Sequence, residues 1–158
     1  MAHNQPLFLA ACANGDLDKV EQLHADSLQG DTTFLQEVFI RAVDNKHPAI
    51  VKFLLQHSPP TFASHLPDQV LLHAIDAGPE IYVQFLVADP SVCRRSFGHI
   101  GDALAVAVMK NDPELVRLML DHGAKPSESL LFHKPIIEAV RDLHSTDVDI
   151  LRALSETK

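Results

Sequence analysis

The sequence has no tryptophan and one tyrosine, and aromatic residues make up only 6% of it. Turn-flanked runs of alternating apolar and polar residues are also missing, so strands are under-supplied and a β-rich core is excluded. The two cysteines, Cys12 and Cys93, are far apart and form no Cys-x-x-Cys pair. That excludes a disulfide framework and a cysteine-based zinc site. Positive charge is scarce: 13 Lys and Arg stand against 21 Asp and Glu, a net charge of −8. The pI is near 5.6. A nucleic-acid binder needs clustered cations to displace counterions, and an anionic membrane surface asks for the same. The one tight basic pair, Arg94-Arg95, is not a patch. No stretch approaches the ~20 apolar residues that span a bilayer. The start, Met1-Ala2-His3-Asn4-Gln5, lacks the basic residues and apolar run of a signal peptide. The expected setting is the cytoplasm, with the nucleus as the alternative, with no nucleic-acid or membrane partner.

Apolar content is adequate. Hydrophobic residues are 46% and charged residues 22% of the 158, ordinary values for a folded protein. One domain over residues 1–158 is expected. Its organisation is a repeat. Five alanines, Ala11, Ala42, Ala74, Ala107 and Ala139, are separated by 31, 32, 33 and 32 residues. Three residues before them stand Phe8, Phe39, Leu71, Leu104 and Ile136. Nine residues after the first four stand Val20, Val51, Val83 and Val116, and twelve after stand Leu23, Leu54, Leu86 and Met119. Ten after stand the polar Glu21, Lys52, Gln84 and Arg117. Apolar at nine and twelve with polar at ten is helical spacing with one buried face.

A turn recurs as well: Asn14-Gly15-Asp16, Asn45-Lys46-His47, Ala77-Gly78-Pro79 and Lys110-Asn111-Asp112-Pro113. Gly and Asn end helices because they tolerate a left-handed backbone. Asp16 and Asp112 are placed to cap the following helix. Pro48 and Pro113 suit a first helical position, where a missing N–H is no loss. Pro79 comes one place earlier in its unit. The pattern predicts helix pairs at 6–14 and 17–26, 34–45 and 48–57, 67–77 and 79–88, 101–110 and 113–121, and 134–143 and 147–155. One pair buries too little to fold alone; stacked pairs share a core.

The period and turn resemble the ankyrin repeat. The run Ala107-Val108-Met109-Lys110-Asn111-Asp112-Pro113-Glu114-Leu115-Val116, closing on Gly123-Ala124, is the best match, and Ala42 to Leu55 is nearly as good. Leu9-Ala10-Ala11-Cys12-Ala13-Asn14-Gly15-Asp16-Leu17 is similar to an amino-terminal capping repeat. The expected fold is therefore all-α: an ankyrin-like solenoid of five stacked helix-turn-helix repeats at about 6–30, 34–65, 66–98, 99–130 and 131–158, with atypical caps. Tetratricopeptide and HEAT stacks have longer helices and lack this turn. The family's Thr-Pro-Leu-His motif, which ties neighbouring turns by hydrogen bonds, is missing, so apolar packing is expected to replace it. The Asp-x-x-Gly finger turn is also missing. Loops or extra helical turns with little hairpin are expected at Ser27–Thr33, Ser58–Leu66, Asp89–Ile100 and Gly123–His133. The fifth pair has three extra residues between Leu143 and Asp147.

The resemblance implies a protein-interaction module, a scaffold or adaptor, binding another protein on a concave face lined by first-helix positions. Those positions include Arg41, Asp44, Asn45, His73, Asp76, Val106, Met109, Lys110, His133, Glu138 and Arg141. Arg41, Asp44, His73 and Asp76 are expected to cluster, with Val106 and Met109 as an apolar patch beside them. The alternative is a small-molecule-binding protein or enzyme, with His73 as a general base oriented by Asp44 or Asp76 near Arg41, and His99 or His133 supplied by a connector. Ankyrin-like stacks are seldom enzymes, so no catalytic residue is assigned.

Ten histidines, at positions 3, 24, 47, 57, 65, 73, 99, 122, 133 and 144, invite a metal. None pairs with another in the His-x-x-x-His spacing of a helical site, and none stands at ligand distance from a cysteine. His47 and His144 occupy a turn position where the ankyrin repeat often has His. His57 and His122 suit helix carboxyl ends. No metal is expected. Phosphate-binding glycine loops, dinucleotide turns and nucleophile elbows are absent, so no cofactor is expected. Cys12 reads as a core residue. Cys93, beside two arginines in a connector, reads as exposed, with its thiolate favoured by them.

Overall fold

The structure, a computed structural model, describes residues 5–28, 31–142 and 147–156. The chain divides into two compact units, Met1–Gln84 and Phe85–Lys158. The first contains α1 (Gln5–Asn14), α2 (Leu17–Ser27), α3 (Thr32–Asp44), α4 (Pro48–His57), the single turn α5 (Pro60–Ala63) and α6 (Asp68–Ala77). The boundary falls inside α7 (Pro79–Ala88). The second contains α8 (Ala103–Met109), α9 (Pro113–Asp121), β1 (Leu130–Leu131), β2 (Lys134–Pro135), α10 (Ile136–Asp142) and α11 (Val148–Glu156). Tight 3-10 turns occupy Pro90–Arg94, Gly98–Ile100 and Pro126–Glu128. The fold is all-α, as expected, with one two-stranded antiparallel sheet among the described residues. None of the described helices is long and apolar enough to cross a membrane.

The columns become cores. Phe8, Phe39, Leu71, Leu104 and Ile136 are all fully buried, and the five alanines are buried beside them. Each large side chain contributes about 1.5–3 kcal/mol by leaving water. In the first unit α1 packs on α3 and α3 on α6, while α2 packs on α4. In the second, α8 packs on α9, and α9 and α10 both pack on α11. The small alanine is what lets successive first helices approach; a larger side chain there would overpack.

The turns follow one backbone rule. Four residues past each of the first four alanines stand Gly15, Lys46, Gly78 and Asn111, at φ +79°, +58°, +109° and +58°. Gly15 has a second reason to be glycine: a Cβ there would lie 2.7 Å from the His47 ring. Asp16 and Asp112 cap as expected, each accepting at 3.2 Å from the amide three residues on. Asp31 and Asp102 do the same for Phe34 and Ala105, at 2.8 and 3.0 Å.

Four expectations need correction. In the third pair the buried residues are Tyr82 and Phe85, along with Ile81 and Leu86, while Val83 is only half-buried. The cause is Pro79. It starts α7 five residues after Ala74, whereas Leu17, Pro48 and Pro113 start their helices six after, so Tyr82 falls into the valine column. Val106 is 8% exposed, not outward, because the 90–94 turn and β1 pack on the short α8. Cys93 is fully buried, not exposed, folded inward by that same turn. Apolar packing does not act alone in joining turns. His47 Nε2 donates to the Ala13 carbonyl at 3.0 Å, and the Asp147 amide donates to Asn111 Oδ1 at 2.7 Å.

Three of the connectors carry helical turns, as expected, at Pro60–Ala63, at Pro90–Arg94 with Gly98–Ile100, and at Pro126–Glu128, the last followed by one minimal hairpin. Its two-residue turn, Phe132-His133, is left-handed at both positions, φ +50° and +68°. The expected fifth turn at 143–146, and with it His144, lies outside the described residues, as does His3.

Candidate functional site

Two adjacent first helices, α3 and α6, present polar side chains at matching heights. The repeat explains why. Asp44 lies two residues after its alanine and His73 one before its own, and the two helices are neighbours. His73 Nδ1 meets Asp44 Oδ1 at 2.7 Å. Lower on the same pair of helices, Gln36 Nε2 donates to Gln69 Oε1 at 3.0 Å. These two rungs join successive repeats through side chains alone.

Arg41 departs from its expected role. It pairs with Glu37, one turn back on α3, at 3.2 Å, and its carbonyl accepts from Asn45 Nδ2 at 2.8 Å. Asp76 is exposed one turn beyond His73. The expected cluster is therefore realised as a His73–Asp44 bridge with Arg41 turned to Glu37. Glu37 and Gln69 were missed. Their signal was available: both lie on the helix faces that carry Arg41 and His73.

The His73–Asp44 bridge is open to water, with side chains 40% and 49% exposed. Exposed pairs of this kind are worth about 0–1 kcal/mol, too little to hold a fold but enough to orient two groups.

In the second unit the expected residues are more dispersed. Met109, 48% exposed, and Lys110 end α8, and Glu138 and Arg141 are exposed on α10. His133 is exposed in the hairpin turn. It lines a cleft of about 240 Å³ with Arg94, Ser96, His99, Asp102 and Glu128. His99 and His133 thus line one cleft in the second unit, whereas His73 belongs to the first.

A model of ankyrin repeats in three copies matches residues 39–130. The chain belongs to the ankyrin repeat family. Neither the curated proteins nor the solved structures contain a match. The matched span runs from Phe39 on α3 to Leu130 on β1. The ankyrin pairs outside it, α1–α2 and α10–α11, keep the first-helix columns buried, Phe8 and Ala11 in one and Ile136 and Ala139 in the other. Ankyrin repeats are generally protein–protein interaction modules.

The ankyrin core holds both thiols. Burial pushes the Cys12 thiol up to about 12. Burial also raises that of Cys93, partly opposed by the Arg94 charge. Cys93 Sγ lies 3.1 Å from the Pro90 carbonyl and 3.8 Å from that of His122. Both are suited to packing, and neither to nucleophilic attack, which needs the thiolate.

Proposed function

We propose that this ankyrin-repeat chain binds a partner protein on the exposed face of α3 and α6, through a segment of the partner that carries Lys or Arg. The observation that carries this is the 2.7 Å His73–Asp44 bridge between successive repeats, set among exposed Glu37, Arg41 and Asp76. This face carries three exposed carboxylates, Glu37, Asp44 and Asp76, against one guanidinium, Arg41, which makes it acidic. An acidic face steers a basic partner and sets its register more than it sets raw affinity. In the second unit, taken by itself, Met109, Lys110, Glu138 and Arg141 are the corresponding exposed positions. Met109 supplies an adaptable apolar contact.

The acid–base alternative at His73 has less support. A general base is tuned by burial and neighbours, and here both members of the pair face water. No cofactor enters the proposal.

The test is affinity capture with the intact chain and with an Asp44→Lys, Asp76→Lys double variant, which reverses the charge of the face, as paired baits, followed by titration of the partner recovered. Loss of at least about tenfold in affinity, with unchanged helical circular dichroism, is expected. Equal affinity in the double variant would place the interface elsewhere.

A further inference from the structure

Stacking brings together two histidines that the sequence keeps a full repeat apart. His24 lies near the end of α2 and His57 ends α4, and these second helices pack on each other. Their ring centroids are 5.0 Å apart, with planes at 67°. Phe53 holds both. It stacks on His57 at 4.0 Å and meets His24 edge-on at 5.1 Å.

The hydrogen bonds assign the tautomers. His24 Nδ1 lies 2.7 Å from the Glu21 carbonyl, and His57 Nδ1 lies 3.0 Å from the Phe53 carbonyl. A carbonyl only accepts, so each Nδ1 carries the proton, and in the neutral ring the lone pair sits on Nε2. Nε2 is across the ring from Nδ1 and therefore faces away from its own helix backbone. An imidazole whose other nitrogen donates to a carbonyl is the usual state of a metal-bound histidine.

The spacing fits as well. A zinc–nitrogen bond of about 2.0–2.1 Å places each ring centroid about 3.2 Å from the ion, so two rings at a tetrahedral angle have centroids about 5.2 Å apart. The observed separation is 5.0 Å. We propose that His24 and His57 form a two-histidine site, through their Nε2 atoms, for a late first-row divalent cation of the zinc class, with water completing the shell. Imidazole nitrogen selects such ions over magnesium and calcium. Local spacing does not reveal this pair, because positions 24 and 57 are 33 residues apart.

The test uses the full chain at pH 7.5, titrated with zinc chloride alone and followed by calorimetry and by histidine side-chain nitrogen NMR. One saturable site is expected, with the Nε2 resonances of His24 and His57 shifting together and magnesium chloride shifting neither. His24→Gln or His57→Gln should weaken binding at least about tenfold, comparable to or more than the loss on removing a supporting group. Equal affinity in the His24→Gln, His57→Gln double variant would overturn the proposal. So would an absence of saturable binding, or shifts confined to other histidines. The resonances are read on the unaltered chain, so the outcome does not depend on the variants folding.

Discussion

The two units solve one packing problem differently. In the first, α3 has thirteen residues and lies directly between α1 and α6. In the second, α8 has seven, and the surface it leaves is covered by the 90–94 turn and β1. Stability in the first unit rests on helix faces. In the second it rests partly on how connectors close over a short helix. The hydrogen bonds say the same. Asp31 caps Phe34. Asp102 caps Ala105 and, with the same oxygen, accepts from Ser129 Oγ at 2.7 Å, tying the far connector to the helix.

The sharpest way to break this contrast is at glycine. A Cβ on Gly101 would lie 2.1 Å from the Leu130 carbonyl oxygen, at φ +134°. Backbone cannot give way as a side chain can, so overpacking and dihedral strain combine. Gly101→Ala should destabilise by about 4 kcal/mol in urea unfolding. Gly15→Ala in the first unit meets only the His47 ring, a side chain that can shift at the loss of its bond to the Ala13 carbonyl, so it should cost about half as much. Equal costs would mean that the connector is not built in.

The two caps come next. Asp31→Ala should cost about 1 kcal/mol, as cap losses do. Asp102→Ala loses a cap and also strands the Ser129 hydroxyl, which is 1% exposed, so about 3 kcal/mol is expected. An Asp102→Ala, Ser129→Ala double variant should recover part of that difference, because the orphaned donor is gone.

The buried thiols sharpen the comparison through pH. An unfolded cysteine ionises near its ordinary 9.0, whereas folded Cys12 waits until about 12. Between those values unfolding releases a proton, so this contribution to stability is intact below pH 9 and falls as pH rises toward 12. The decline is at most about 1.4 kcal/mol per pH unit, about 2 kcal/mol by pH 10.5. Cys12→Ala should remove that part of the alkaline slope. Cys93→Ala should change the slope less, because Arg94 opposes the effect of burial there.

The same division separates what could be read from residues alone. Ala11, Ala42, Ala74, Ala107 and Ala139, with the large residues three before them, marked the core correctly because helical period and burial are local facts. Asp16 and Asp112 were legible for the same reason. Val83 misled because counting from an alanine assumes a constant turn, and Pro79 shortens it by one. Cys93 misled because its burial depends on Pro90 and His122, the latter 29 residues away. Phe132 and His133 carry no turn signature, since neither is Gly or Asn; the sheet register around them sets their backbone. Of the site, the His73–Asp44 pair was legible from repeat columns, but Arg41's choice of Glu37 was a contest between neighbours that spacing does not decide.

The smallest effect tests the turn rule itself. Lys46 holds φ +58° at a position where Gly15 and Gly78 occupy the equivalent turns. A left-handed backbone costs a side-chain-bearing residue about 1–2 kcal/mol, while glycine loses more chain entropy on folding, by about 0.5–1 kcal/mol. The first term is the larger, so Lys46→Gly should stabilise by about 0.5 kcal/mol. Asn111 has the same φ, but its side chain also holds the Asp147 amide. Asn also tolerates a left-handed backbone better than Lys does, so Asn111→Gly relieves little strain and should destabilise. Opposite signs in paired melts would separate a turn that only has to bend from one that also has to grip its neighbour.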